Sequence, residues 1–272
     1  MSYQLDDLLY LMQRLRDPLH GCPWDQQQSF ATIVPHTLEE AYEVADAIAS
    51  EDFPQLCGEL GDLLFQVVYY AQLGREAGHF DWEQVVHGIT EKLVRRHPHV
   101  FPDGNLRTPP GSVSLAADQI KARWEEIKAE ERALKAEQPE QLSLLDDVPQ
   151  ALPALSRAQK LQKRAARAGF DWPALLPVLD KLDEELAEVR QALAEGQQQR
   201  VAEEVGDLLF SMVNLARHLQ VDAEEALRGG NARFERRFRY IEAQLREAGL
   251  SPEQVELLQL DRLWQQAKDV GL

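Results

Sequence analysis

Leu38-Glu39-Glu40-Ala41-Tyr42-Glu43-Val44, followed after a short gap by Gly58-Glu59-Leu60-Gly61-Asp62-Leu63-Leu64-Phe65, decides how this chain is read. The pattern returns as Asp183-Glu184-Glu185-Leu186-Ala187-Glu188-Val189 and Val205-Gly206-Asp207-Leu208-Leu209-Phe210, preceded by Glu204. Glu39, Glu40, Glu43, Glu59 and Asp62 thus have counterparts at Glu184, Glu185, Glu188, Glu204 and Asp207, each 145 positions later. Residues three or four apart share a helix face, so Glu40 pairs with Glu43 and Glu59 with Asp62. A turn near Glu51 sets Glu43 opposite Glu59 and Glu40 opposite Asp62, at similar heights along two antiparallel helices. The same arithmetic about Gly196 sets Glu188 opposite Glu204 and Glu185 opposite Asp207. Carboxylates crowded in this way repel one another unless something positive joins them. An all-oxygen donor set without His or Cys suits a hard cation such as Mg²⁺, with Mn²⁺ as a substitute.

Two simpler readings compete. Asp and Glu number 46 in 272 residues, so a single acidic pair at helical spacing means little and most such pairs are solvated. Thr37 and Glu40 could also form a capping box at a helix start. The second copy has no Thr-x-x-Glu start, however, and in both copies apolar residues flank the acidic positions. Recurrence of the whole constellation favours the metal reading. A di-iron bundle would offer Glu-x-x-His pairs, and the nearest such spacing, Glu76 to His79, falls at a Gly-containing helix end.

Long stretches rich in Leu, Ala, Glu, Gln and Arg favour helix, and no run of alternating β-branched residues appears. The fold class expected is all-α, two tandem helical-bundle repeats. The N-terminal domain is placed at 1–137, a Pro-bearing linker at 138–153 and the C-terminal, mainly catalytic domain at 154–272. Helices are expected near 2–16, 37–50, 55–76, 82–97 and 116–136, then near 156–168, 174–194, 197–220, 222–248 and 252–268. Ser251-Pro252 reads as the start of the last.

A net charge of −17 excludes a large nucleic acid partner, since the phosphate backbone needs a basic face. The longest apolar stretch, 63–73, is too short to span a bilayer. The N-terminus lacks a basic-then-apolar signal, and the two cysteines, Cys22 and Cys57, have no paired spacing. A cytoplasmic location with no membrane partner is expected.

The acidic words, together with Gly21-Cys22-Pro23-Trp24-Asp25, Arg95-Arg96-His97-Pro98-His99-Val100-Phe101, Gly169-Phe170-Asp171-Trp172 and Phe234-Glu235-Arg236-Arg237-Phe238, resemble the Glu-Glu-x-x-Glu…Glu-x-x-Asp signature of the MazG family across the whole chain. That resemblance implies an all-α nucleoside triphosphate pyrophosphohydrolase, a homodimer, and a role in clearing non-standard nucleotides, with broad base specificity. It makes Glu185, Glu188, Glu204 and Asp207 the expected metal ligands, with Glu40, Glu43, Glu59 and Asp62 as the first-half set. Lys181, Arg233, Arg237, Trp264 and Lys268 match positions that contact nucleotide and phosphates. Arg200 and Glu203, beside Glu204, complete the expected nucleotide group. Lys181, Glu184, Glu185, Glu188 and Arg237 form the expected catalytic set, in which Glu184 would orient or deprotonate a water. A related hydrolase of another pyrophosphate bond, and a non-enzymatic helical assembly protein, are the alternatives. In the first half Lys92, Arg96, Trp124 and Lys128 correspond by spacing, while His36 stands in place of Lys181 and Gln55 in place of Arg200. The first site is expected to be weaker, differently specific or structural.

Overall fold

A computed structural model describes residues 2–107, 119–120, 123–124, 126–127, 131 and 143–272. Most of the helix expected at 116–136, with Lys128, and part of the linker lie outside the described residues. The described residues hold helices and no strand, and the chain divides into two units, Met1–Lys135 and Ala136–Leu272.

The first unit contains α1 (Leu5–Leu15), α2 (Pro23–Gln27), α3 (Phe30–Ala49), α4 (Phe53–Ala77) and α5 (Trp82–Arg96). The helix expected from Thr37 starts seven residues earlier, at Phe30, and runs through Pro35. Ser29 caps it, its hydroxyl accepting from Thr32 N at 3.3 Å, while Thr32 Oγ1 accepts from Ser29 N at 2.8 Å. Pro35 lies early enough that its missing N–H removes one intrahelical bond without ending the helix. Thr37 is therefore an interior residue; its hydroxyl donates back to Ile33 O at 3.1 Å and stands 2.9 Å from Tyr70 Oη. Asp52 caps α4 by accepting from Gln55 N at 3.0 Å, with Pro54 in the first turn. Met12, Ile33, Val68, Tyr69 and Leu73 form the buried core, joining α1 and α3 to α4. Arg16 locks the far end, donating to Glu76 from Nη2 at 2.6 Å and from Nε at 2.9 Å. Tyr69 donates to Asp25 O at 2.9 Å, and burial pushes its phenol up to about 12.

The second unit contains α6 (Ala154–Arg167), α7 (Leu175–Glu195), α8 (Gln198–His218), α9 (Ala223–Glu247) and α10 (Leu257–Asp269). Ser251-Pro252 begins a 3-10 turn, Pro252–Gln254, which stops at an extended Val255 before α10 begins at Leu257. The single helix expected from Pro252 is thus two elements. α7 and α8 form the counterpart of the α3–α4 hairpin, and α6 packs on α8. Two buried glutamines of α6 supply directional ties: Gln159 Nε2 donates to Val221 O at 3.2 Å and Gln162 Nε2 to Phe210 O at 2.8 Å. Both hairpins turn through a left-handed residue, Glu51 at φ 56° and Gly196 at φ 67°.

Candidate metal and nucleotide site

In each hairpin the register brings three carboxylates together. Glu40, Glu43 and Glu59 present oxygens all within 4.8 Å of one another, and so do Glu185, Glu188 and Glu204. Asp62 and Asp207 are exposed and stand outside these trios. Asp62 still acts on the first: Glu40 is held above the ordinary carboxylate range by burial, then by Asp62, Glu39 and Glu59. Burial and the facing Glu59 and Glu40 likewise push Glu43 up. In the second trio burial, Glu204 and Glu185 raise Glu188. Like charges that raise one another's proton affinity are what a hard divalent ion would relieve. Carboxylate oxygens gathered within this distance could hold one divalent ion after a small adjustment, and an all-oxygen donor set is the kind that Mg²⁺ or Mn²⁺ takes.

The two trios differ in their cations. Lys181 Nζ lies 2.9 Å from Glu184 Oε1 and 2.9 Å from Glu185 Oε1. These two carboxylates hold its ammonium above the usual lysine range. Arg200 Nε donates to Glu204 Oε1 at 3.1 Å and its Nη1 to Glu195 Oε2 at 2.7 Å. Glu185 is buried at 5% exposure, so its pairing with Lys181 satisfies a charge that would otherwise be costly. Around the first trio, His36 Nδ1 stands 3.7 Å from Glu39 and Gln55 Nε2 donates to Glu59 at 3.1 Å. No lysine or arginine is paired with that trio among the described residues.

The remaining expected nucleotide contacts lie on α9 and α10. Arg237 places its guanidinium 5.4 Å from the Trp264 ring centre and donates from Nε to Leu272 O at 2.8 Å. Phe234 lies 5.4 Å from Trp264 and stacks on Phe238 at 6.0 Å. Arg233 and Lys268 are exposed. α9 packs chiefly on α6 and α10 and also touches α8, and this aromatic and basic group lies where α9 meets α10. Glu203 is exposed and accepts from Gln199 Nε2 at 3.2 Å. Of the first-half correspondents, Arg96 is paired to Glu131, and Trp124 meets the His97 ring at 5.0 Å, edge to face.

Sequence reasoning missed Glu195, which reaches Arg200 across the turn. It singled out Asp171 within a motif but missed its partners: Asp171 accepts from Arg217 Nη1 at 3.0 Å and lies 3.0 Å from His218 Nε2. The first could have been sought among acidic residues beside the turn; the second joins positions 46 apart and leaves no local signal.

Comparison with known proteins accords with this geometry. A family model described as "MazG nucleotide pyrophosphohydrolase domain" matches twice, at residues 28–101 and 175–241, each match containing one trio. A protein of Escherichia coli (strain K12) named "Nucleoside triphosphate pyrophosphohydrolase" is 55% identical over 269 residues, covering 97% of each chain. A Thermotoga maritima protein named "Nucleoside triphosphate pyrophosphohydrolase/pyrophosphatase MazG" is 39% identical over 97% of this chain and 95% of its own. A Mycolicibacterium smegmatis protein named "Nucleoside triphosphate pyrophosphohydrolase" is 36% identical over 61% of this chain and 47% of its own. With both hairpins matched and likeness running the length of the chain, the protein belongs to the MazG nucleotide pyrophosphohydrolase family.

Proposed function

We propose that this chain hydrolyses nucleoside triphosphates to the monophosphate and pyrophosphate, with Mg²⁺ as cofactor, mainly in the second unit. The observation that carries this is the Glu185, Glu188 and Glu204 trio with Lys181 and Arg200 seated on it. Asp207, on the same helix one turn beyond Glu204, completes the proposed ligand set. Mn²⁺ would substitute. A divalent ion bound there supplies charge for phosphate oxygens and acidifies a coordinated water. Lys181, Arg200, Arg233, Arg237 and Lys268 offset negative charge on the polyphosphate, and Trp264 gives a face on which a base can stack. Stacking tolerates any base, which supports broad specificity and a role in cleaning the nucleotide pool. Glu184, held by Lys181, is the carboxylate proposed to orient the attacking water or take its proton.

Two further parts of this reading concern setting. The α7 and α8 hairpin leaves Leu176, Leu193, Leu209 and Met212 at least half exposed, an apolar surface that supports a homodimer. Two unpaired cysteines support a cytoplasmic location; no described helix is long and apolar enough to cross a membrane.

The test is to incubate the protein with Mg²⁺ and a panel of nucleoside triphosphates and identify the phosphorus products. Monophosphate plus pyrophosphate is expected, with Glu185→Gln lowering kcat by about 100-fold, the scale of losing one preorganised charge contact. Diphosphate plus phosphate would overturn the assignment of the bond, and turnover of nucleotide conjugates alone would move the substrate class.

A further inference from the structure

At the tip of the α7–α8 hairpin Arg200 has a second partner, Glu195, to which the reading above gives no task. Arg200 spans two carboxylates with one guanidinium: Nη1 meets Glu195 Oε2 at 2.7 Å and Nε meets Glu204 Oε1 at 3.1 Å. Glu204 belongs to the trio; Glu195 is the last residue of α7 and lies outside it. The internal repeat acts as a control. At the positions 145 earlier the first unit has Ser50 and Gln55, so both members of the pair are exchanged together. The Ser50 hydroxyl turns back to Asp46 O at 2.9 Å, and Gln55 reaches Glu59 with no partner shown across the turn. Arg200 also lines an open hollow with Gln197, Gln198, Gln199 and Glu203. It therefore faces space from which a ligand can approach.

A half-exposed ion pair such as this adds little to stability, so its value must be sought in placement. A carboxylate that takes up a divalent ion has less charge left for a guanidinium. Arg200 would then lose its hold on Glu204. Its second partner decides whether it stays at the edge of the site or swings into solvent. We propose that Glu195 is a positioning residue that tethers Arg200 at the hairpin tip, so that the guanidinium serves an incoming polyphosphate once Glu204 is engaged. This rests on the nucleotide reading above and deepens it. The first unit has Ser50 and Gln55 at the equivalent positions, so among the described residues this tethered cation belongs to the second unit.

The full chain, Glu195→Gln, Arg200→Gln and the double variant are compared by three measurements. These are steady-state kinetics with a nucleoside triphosphate and Mg²⁺, calorimetric binding of inorganic tripolyphosphate with Mg²⁺, and Mn²⁺ binding without nucleotide. Glu195→Gln should raise KM about three- to tenfold while kcat stays within about twofold, as for loss of a placed charge-assisted contact. Tripolyphosphate should weaken in parallel, and Mn²⁺ affinity should stay within about threefold, the residue being no ligand. The double variant should match Arg200→Gln, because Glu195 acts only through Arg200. An unchanged KM in Glu195→Gln, full additivity in the double variant, or a lost Mn²⁺ affinity with tripolyphosphate binding intact would each overturn the tether. If the unaltered chain turns over no triphosphate yet its tripolyphosphate binding depends on Glu195, the tether stands and the assigned reaction falls.

Discussion

Glu131 shows what a single well-paired carboxylate does in this chain. Arg96 and Arg95 both donate to it, and their hydrogen bonds outweigh its burial to pull it down to about 2. Its affinity for protons is therefore lower in the folded unit than in the unfolded chain. The stability it contributes is present above the ordinary glutamate value near 4.5 and is lost as pH falls toward 2. Acid titration of thermal stability should accordingly show Glu131→Gln less stable than the parent at neutral pH, with the two curves converging between these values. Curves that stay parallel down to pH 2 would mean the pairing adds nothing. The trio members read differently. Their identity was legible because helical periodicity puts Glu185 and Glu188 on one face and the hairpin register sets Glu204 opposite. Which ones touch a cation was only half legible: Lys181 lies four residues before Glu185 on one helix, whereas Glu195 meets Arg200 across a turn, where i,i+4 reasoning has no purchase.

Among elements, the two hairpin turns give a matched comparison. Gly196 and Glu51 occupy equivalent positions and both adopt the left-handed region, at φ 67° and 56°. A side chain there crowds its own backbone, at a cost of about 1–2 kcal/mol that glycine avoids. Gly196→Ala should therefore destabilise the second unit by about 1 kcal/mol, a melting shift of roughly 2–4 °C or somewhat more. Glu51→Gly should stabilise the first unit by a smaller amount, offset in part by the greater freedom of glycine in the unfolded chain. Differential scanning calorimetry of both variants checks the pair; shifts of the same sign would refute the argument. The turns themselves were readable from sequence, and so were most helices, because capping residues and apolar periodicity agree. Two boundaries were not. The expected start at Thr37 lies inside the helix, because Ser29 and Thr32 cap the chain earlier and the helix continues through Pro35 at the loss of one backbone bond. Ser251-Pro252 did start a helical turn, but the extended Val255 separates it from α10.

At the scale of the molecule, one hairpin design appears twice with different surroundings. Each copy gathers three carboxylates, so each has a donor set for a divalent ion. Only the second seats Lys181 and Arg200 on that set; the first has His36 near Glu39 and Gln55 on Glu59. A polyphosphate brings several negative charges, and an ion held by carboxylates offsets only part of them, so fixed cations nearby decide how well it is received. Since no lysine or arginine is paired with the first trio among the described residues, it is expected to receive a polyphosphate less well than the second. Glu185→Ala with Glu188→Ala should lower kcat/KM for triphosphates by about 100-fold or more. Glu40→Ala with Glu43→Ala should leave turnover within a few-fold while removing part of the Mn²⁺ bound per chain, counted by titration without nucleotide. Circular dichroism of both double variants guards against a loss caused by misfolding. Removing Glu40 and Glu43, which like charges already strain, should leave the first unit melting at or near the parent temperature. Glu185→Ala, by contrast, strips Lys181 of a buried partner and should lower the melting of the second unit, so its loss of activity is read only under conditions where the helical signal is intact. Activity that survives the second-unit change and disappears with the first would exchange the roles of the two units, and with them the importance of Lys181 and Arg200.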